Sequence, residues 1–527
     1  MPFQTSPEID FSAVGLITDV PAHAIPAGGW SSCLDVRCKD GSVQGVNAFE
    51  DSGILVYPTT ANSGQDDINE GKIVAITQFT PAGASDFMLA YIVERNISSG
   101  PKYCSVILYN TSGSGTYEDI TNATSSQQFT YNENHPPQIF VFNELLVVNP
   151  ANDAPPQTTN AKVSAGSLYQ LPGWLNDGSG DPIVARIVRP FNNRLVAMDI
   201  LEEHTSTSTE AATMPIDFLW SSNITTLQSL AAADWSASVT NTAGDAFLTD
   251  TPGKIIDGGQ LGEFFIAYKS DSVVRVRETG DSYVLAFESI FEDDGLYSTR
   301  CFTNIGGSQH LVVGNYGVYI HDGQSQKQDI AKGLFQETLF NLVKPAERNR
   351  AFCFQQTRDK EVWFCLSSKS NLSTGCDRAF VYDYTTGRLH LRSLPGISDM
   401  FETEFNGELQ IYGAKMGDDE IQKLSNTAFV SGGFFEKRDD NFTINGLVKQ
   451  INRVHVNSTG SLNIAIKGSE KIGETITFTD LAFDPGTTHK VDTRTSGRFI
   501  SLRVTMDTNV NPKLTTLQFD IKAMGIR

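Results

Sequence analysis

Short apolar clusters punctuated by Gly, Asp and Asn set the rhythm of this chain, most plainly between Thr251 and Gly323. Phe264–Tyr268, Val273–Val276, Tyr283–Phe287, Leu311–Val313 and Val318–Ile320 are rich in β-branched and aromatic residues, and turn-forming residues separate them. Runs of that composition about ten residues apart predict consecutive antiparallel strands joined by hairpins. No helical period survives across the stretch.

The same punctuation extends in both directions. Ile73–Phe79, Met88–Glu94 and Tyr103–Tyr109 read as strands, and Phe218–Trp220 as a further one. Phe140–Phe142 with Leu145–Val148, and Arg186–Arg189 with Leu195–Met198, read as hairpins turning at Asn143-Glu144 and Asn192-Asn193. Ala351–Gln355 with Glu361–Leu366, and Ala379–Tyr384 with Leu389–Leu391, are later hairpins, and Glu408–Tyr412 ends the series. Residues 149–167 read as a long loop, and short helices are expected near Leu227–Asp234 and Phe335–Leu342.

A faint repeat runs through these elements: a strand ending in Tyr, a polar Gly turn, a second strand. It occurs at Val106–Gly113, Val318–Gly323 and Phe380–Gly387, with a weaker copy at Leu409–Gly413. Repeated hairpins of this kind predict an all-β fold in which residues 51–430 form a β-propeller of about six or seven blades. A stack of β-sandwiches is the competing architecture. Residues 431–527 change character, with strands expected at Phe442–Leu447, Arg453–Val456, Leu462–Ile466, Thr475–Phe478, Phe499–Met506 and Leu517–Ile521. That count and spacing predict a small β-sandwich, a platform beside the propeller. Residues 1–50 are extended segments broken by Pro and Gly, then a hairpin turning at Asp40-Gly41. They read as an arm packing on the platform or a neighbour, or as a plain surface segment closing the fold.

Composition narrows the function classes. Sixty-one acidic residues against 40 basic ones give a formal charge of −21. That balance argues against gripping nucleic acid by its phosphates, but permits a wall past which nucleic acid slides. The 7 cysteines are irregularly spaced; Cys33 and Cys38 lack the second close pair of a zinc site, and Cys353, Cys365 and Cys376 read as small core residues. Free thiols and synthesis in a reducing compartment are expected. The first residues have neither a basic region nor a long apolar core, so no signal peptide is expected, and no apolar run is long enough for membrane insertion. The sequons at Asn96 and Asn110 carry no weight without secretion.

No catalytic, cofactor-binding or metal-ligating residue is assigned, no cofactor is expected, and the protein reads as a non-enzyme. Ser112-Gly113-Ser114-Gly115 sits in a turn rather than the strand-to-helix elbow of a hydrolase. Phosphate-loop and HExxH patterns do not occur, and the 8 histidines are scattered. Glu292-Asp293-Asp294 and Asp418-Asp419-Glu420 are the tightest acidic clusters, either solvated turns or the paired carboxylates of a glycosidase. Asp66–Gly71 faintly resembles a calcium loop without its distal Glu. Trp30, Trp174, Trp220, Trp235 and Trp363 read as packing residues before sugar platforms.

Several segments together resemble the tail nozzle proteins of short-tailed bacteriophages, the tail tubular protein B-like family. They are Gly15–Pro21, Ile25-Pro26, Val36-Arg37, Asp40–Val43, Phe218–Ser221, Trp235, Gly258–Gly262, Tyr268–Ser270, Asp294-Gly295, Gly317–Gly323, Glu361–Phe364, Cys376–Tyr382 and Ser496–Arg503. The resemblance spans nearly the whole chain. It implies a propeller with a platform, assembled as a homo-hexameric ring in the virion tail, made in the host bacterial cytoplasm. Its implied partners are the portal adaptor protein, tail fibres or tailspikes, and viral double-stranded DNA passing through the lumen without specific binding. It carries no catalytic or gate residue onto this chain. Two other classes stay open: a carbohydrate-active or carbohydrate-binding propeller, and a monomeric protein-binding scaffold.

Overall fold

Nearly every central strand of this protein buries both of its faces, and the alternation of side chains along each strand decides which neighbour it touches. In Phe264–Lys269, Phe265 and Ala267 pack with Ile187, Met198 and Phe218 of the preceding sheet. Ile266 and Tyr268 point the other way, into a core shared with Leu311, Val312 and Tyr319 of the following sheet. The computed structural model describes all residues except 1–3, 56–71, 81–86, 96–102, 111–114, 123–127, 160–166, 177–181, 202–216, 225–229, 281–283, 373, 406–407, 418–419, 443–446, 507–510 and 526–527.

The fold is a β-propeller carrying a β-sandwich platform. Blade 1 comprises Lys72–Phe79, Met88–Glu94, Cys104–Asn110 and Thr116–Asp119; blade 2, Gln138–Phe142, Leu145–Asn149, Gln157–Thr158 and Tyr169–Gln170. Blade 3 comprises Val184–Phe191, Arg194–Leu201, Phe218–Trp220 and Gly244–Ala246; blade 4, Ile255–Leu261, Phe264–Lys269, Val273–Glu278 and Leu285–Phe291. Blade 5 comprises Phe302–Ile305, Gln309–Val313, Val318–His321 and Lys327–Asp329. A seven-stranded sheet supplies the last two blades, because its strand Arg388–Phe405 serves both. The first half of that strand pairs with Cys376–Asp383 and completes blade 6, with Phe352–Gln356 and Glu361–Leu366. The second half pairs with Glu408–Lys415 and opens blade 7. The changeover lies at Gly396, whose φ of 87° is open to glycine and where an added Cβ would sit 2.8 Å from the Thr374 carbonyl oxygen.

Separate apolar clusters close every interface of the ring. One joins blades 1 and 2, a second 2 and 3, and a third 3 and 4. A large cluster joins 4, 5 and 6, and two more join 6 to 7 and 7 to 1. The count is therefore seven, at the upper end of the expectation. The last blade is closed by Asn47–Leu55, which pairs with Glu420–Phe429 across more than 370 residues of chain (Gln422 with Asp51, side chains 371 positions apart). The series does not end at Glu408–Tyr412 as expected. Glu420–Phe429 is half polar because it lies toward the blade's outer edge, and its partner comes from the opposite end of the chain.

The platform draws on both termini. One sheet runs Lys490–Gly497, Val448–Ser458, Leu514–Gly525, Ser42–Gly45, Val36–Lys39, with Gln4–Thr5 also on Leu514–Gly525. The other runs Leu481–Phe483, Leu462–Ser469, Phe499–Met506, Phe434–Asp440, Ser32–Leu34. The hairpin at Asp40-Gly41 has φ of 50° and 68°, the positive pair that a two-residue turn of this hand requires. Of the expected strand Phe442–Leu447, Phe442 lies in a turn with φ 47° and residues 443–446 fall outside the described ones. One expected strand is corrected. Thr475–Phe478 has no ladder partner: Ile476 and Phe478 are half-buried, but the segment runs exposed over the surface. The helix expected at Phe335–Leu342 is present as the α-helix Gln336–Leu342; of the one expected near Leu227–Asp234, the described residues hold a 3-10 turn, Ala232–Asp234, and 227–229 lie outside them.

The arm welds platform to propeller. Trp30 is fully buried, stacks on Phe435 at 5.2 Å, and donates its indole N–H to the Phe11 carbonyl at 2.9 Å. Asp35 accepts from the Ser393 amide at 2.7 Å, and Asp19 accepts the Glu337 amide at 2.8 Å at the start of the helix. Arg37 and Lys39 hold Asp359 at 2.8 and 2.7 Å. Burial works against the Asp359 carboxylate, but the two cations win and keep it below the usual carboxylate range. Removing one member of such a buried set strands the other. Arg37→Ala is therefore expected to destabilise the protein by about 3 kcal/mol, read as a lower denaturant midpoint. Gly396→Ala should cost about 1–2 kcal/mol from backbone strain alone.

Candidate functional site

The axis of the propeller is where the innermost strands converge, and their polar side chains are spent on one another. Asp257, fully buried at the start of blade 4, accepts from Arg189 of blade 3 at 3.0 Å, from the Arg300 amide at 2.9 Å and from the Gly258 amide at 2.8 Å. Arg300, at the entry to blade 5, stands at φ 65° and sends its guanidinium to Asp399 of blade 7 at 3.4 Å and over the Phe352 ring of blade 6 at 5.4 Å. Asp399 in turn accepts the Ile76 amide of blade 1 at 3.1 Å. Burial pushes its carboxyl up, with Arg300 and two backbone amides pulling the other way. A chain of charge and hydrogen bond thus runs around the axis from blade 3 to blade 1.

The loop entering blade 2 lies across the mouth of this axis. Asn349, ahead of blade 6, donates to Asn134 at 2.8 Å, and Arg350 pairs with Glu133 at 2.5 Å. Tyr131, whose hydroxyl burial pushes up to about 12, feels the charges of Arg300 and Arg350. Beside this crossbar is a well of about 530 Å³, lined by Asn134–Pro136, Arg186, Asp199, Lys254, Tyr297–Thr299, Asn315 and Arg348 among others. Its one lining carboxylate, Asp199, pairs with Arg186 at 3.4 Å. Arg348 stacks over Tyr297 at 4.4 Å and donates to Asn315 at 3.1 Å.

Of the acidic clusters singled out in the sequence, Glu292-Asp293-Asp294 falls among the described residues. Asp293 pairs with Lys327 at 2.7 Å on the surface. Asp294 is buried, and its carboxylate takes the amides of Gly295 and Asn315 at 2.9 Å, bracing the turn before blade 5's third strand. Asp418-Asp419, Asp66–Gly71 and Ser112–Ser114 lie outside the described residues. All five tryptophans are buried; Trp174 and Trp235 meet edge to face at 4.8 Å inside the interface of blades 2 and 3. Trp30 packs at the platform joint rather than inside a blade. The cysteines are all free; burial raises the Cys33 and Cys301 thiols to about 12, so neither is a reactive thiolate. No group of three metal-ligating side chains occurs among the described residues.

One buried polar cluster went unread in the sequence, because its members are 42 and 53 positions apart. Tyr268 lies between His310 at 2.7 Å and His321 at 2.8 Å. His310 Nε2 donates to the Gln260 carbonyl at 3.1 Å, so its Nδ1 accepts from the tyrosine. His321 Nδ1 accepts the Gly323 amide at 3.1 Å, so its Nε2 donates to the tyrosine. Every donor and acceptor is used, with both rings neutral. The cluster is a bolt between blades 4 and 5 rather than a reactive centre.

No protein-family model matches the chain, and no curated protein matches it significantly. Solved structures that match include the Pan2 WD40 domain of Neurospora crassa, at 7% identity and a TM-score of 0.38, over 72% of this chain and 97% of that one. Another is an exo-beta-1,3-galactanase from Phanerochaete chrysosporium with galactose, at 10% identity and a TM-score of 0.23, over 85% and 82%. At such identities the likeness concerns architecture alone.

The buried histidines predict an acid sensitivity. Burial lowers His310 to about 4 and His321 to about 3, and holds His390 well below its ordinary value. The unfolded chain then binds protons that the folded one does not, so stability is full above about pH 6.5 and falls as pH drops toward 4. Denaturation midpoints measured from pH 8 to 4 should show this slope, and His310→Gln should flatten it.

Proposed function

We propose that the protein is a structural component of a virion, a nozzle-type subunit of a short phage tail that acts by assembly rather than by bond chemistry. The observation that carries this reading is the union of propeller and platform through one continuous core, built from both ends of the chain. Such a union makes a stiff block with two differently shaped bodies, which suits a subunit that must repeat in a ring.

The segments that carry the family resemblance support it, because they do framework tasks. An added Cβ on Gly15 would meet the Leu389 carbonyl at 2.9 Å, and one on Gly259 would meet the Phe302 ring at 2.7 Å. Lys269 clamps the Leu248 and Thr251 carbonyls at 2.6 Å each. Glu361 takes the Trp363 indole at 3.0 Å. These are tasks that hold blades in place, and a family related by its frame would keep them.

The axis also bears on the reading. Glycoside hydrolysis needs two carboxylates facing a sugar. Asp199, Asp257 and Asp399 each answer to an arginine instead. The crossbar and ion pairs obstruct the propeller's own axis and leave only a small well beside them, so a DNA conduit would be the lumen enclosed between copies, six in the family that the sequence resembles. The −21 charge suits a lumen that duplex DNA passes without sticking.

Electron microscopy of the particle encoding this chain, with the subunit located by fitting, tests the proposal. The expected result is a closed ring of copies at the end of a short tail, contacting adaptor and fibres. Absence of the chain from purified particles, or release of reducing sugar from host polysaccharide by the purified protein, would overturn it.

A further inference from the structure

The well beside the crossbar stands out by its charge. In a chain whose acids outnumber its bases, this cavity presents Arg186, Lys254 and Arg348 against the single carboxylate of Asp199. The ion pair with Asp199 is made at Nε of Arg186, and Nη1 of Arg186 is buried without a hydrogen-bond partner. Thr299 Oγ1, also on the wall, is buried and unpartnered too. Lys254 forms no ion pair among the described residues. Buried donors without acceptors are costly, and cations that converge on one space make that cost larger. The field converges on His135 as well: burial first, then Arg186 and Lys254, lower its imidazole to about 4. Arg186, Lys254, Arg348 and Thr299 come from four different segments of the chain, so only the closed ring brings them together.

We propose that this axial well is a binding site for a small oxyanion ligand, one carrying a carboxylate or a phosphate, held between Arg186 and Lys254 with Arg348 beyond them. An arginine fork and a lysine point charge suit either group. A cavity of about 530 Å³ admits more than a bare ion and falls in the range of small-molecule pockets. The ligand class is thus an acidic or phosphorylated compound of about monosaccharide size. The inference goes beyond the virion reading and does not depend on it.

Calorimetric titration of the full chain with inorganic phosphate, glucose 6-phosphate, glucuronate and neutral glucose tests it. Stoichiometric binding of at least one anion, weakened by added salt, is expected, and which anion binds distinguishes phosphate from carboxylate. Lys254→Gln and Arg186→Gln should each weaken binding about tenfold, the loss of one charged hydrogen bond. Lys332→Gln, on the exposed surface, should leave it unchanged. Lys254 has no structural partner, so its variant should keep the wild-type melting temperature and the comparison stands even if Arg186→Gln unfolds. Binding by no anion, equal binding of glucose and glucose 6-phosphate, or affinities untouched by Lys254→Gln (an adventitious ion only) would overturn the proposal.

Discussion

Burial of both faces of each sheet is the constraint on which this molecule rests. A blade such as Phe264–Lys269 and its neighbours has apolar residues on odd and even positions alike, so a blade standing alone would expose one whole face. Neighbours cure this on each side, and only a closed ring cures it for all of them. Closure is made by backbone pairing of Asn47–Leu55 with Glu420–Phe429, reinforced by Asn47 donating to the Ser425 carbonyl at 2.8 Å. The ring therefore cannot finish until nearly all of the chain is present. Such distant pairing carries a large loop-closure cost, which places it late in folding.

The same closing segment explains the platform. A chain that must return its beginning to the last blade has some forty residues before that point with nowhere to go inside the propeller (Gln4 to Gly45 hold four of the platform's strands). Four of their strands, Gln4–Thr5, Ser32–Leu34, Val36–Lys39 and Ser42–Gly45, lace into the two sandwich sheets, and the segment leaves polar clamps on blade 6, through Asp35 on Ser393 and Arg37 on Asp359. Arg392, buried between them, lies 4.1 Å over the Trp363 ring and donates to the Asn47 carbonyl at 2.9 Å. Platform, arm, blade 6 and blade 7 thus meet at a handful of side chains, and a disturbance at one is felt by the rest.

How much of this was legible in the sequence follows from what a local pattern can encode. Hairpins whose strands are adjacent were plain: Met88–Glu94, Phe218–Trp220 and Glu361–Leu366 appear with the bounds that their apolar runs suggest. Strands defined by a distant partner were not. Glu420–Phe429 reads as half-polar because an outer strand needs only intermittent burial, and Asn47–Leu55 is full of Glu, Asp and Ser. Thr475–Phe478 shows the converse, since it has strand composition and alternation but no backbone to pair with. The axial well was invisible for a similar reason. Arg186, Lys254, Thr299 and Arg348 are unremarkable where they stand in the sequence, and become a group only when successive blades bring their inner strands to one axis.

Charge is distributed by that same geometry. Arginines are drawn inward, to Asp257 and Asp399 at the axis and to Asp359 at the joint, because a guanidinium can satisfy several acceptors while its flat face lies on a ring. Each inward arginine that is matched by a buried carboxylate leaves the net balance outside unchanged. Where matching fails, as in the well, a local excess of positive charge is left inside. One molecule then has two opposite electrostatic characters: a net acidic whole that repels polyanions, and a confined space at the propeller axis that attracts small anions. Duplex DNA is too wide and stiff to enter a well of about 530 Å³, so the two behaviours do not compete.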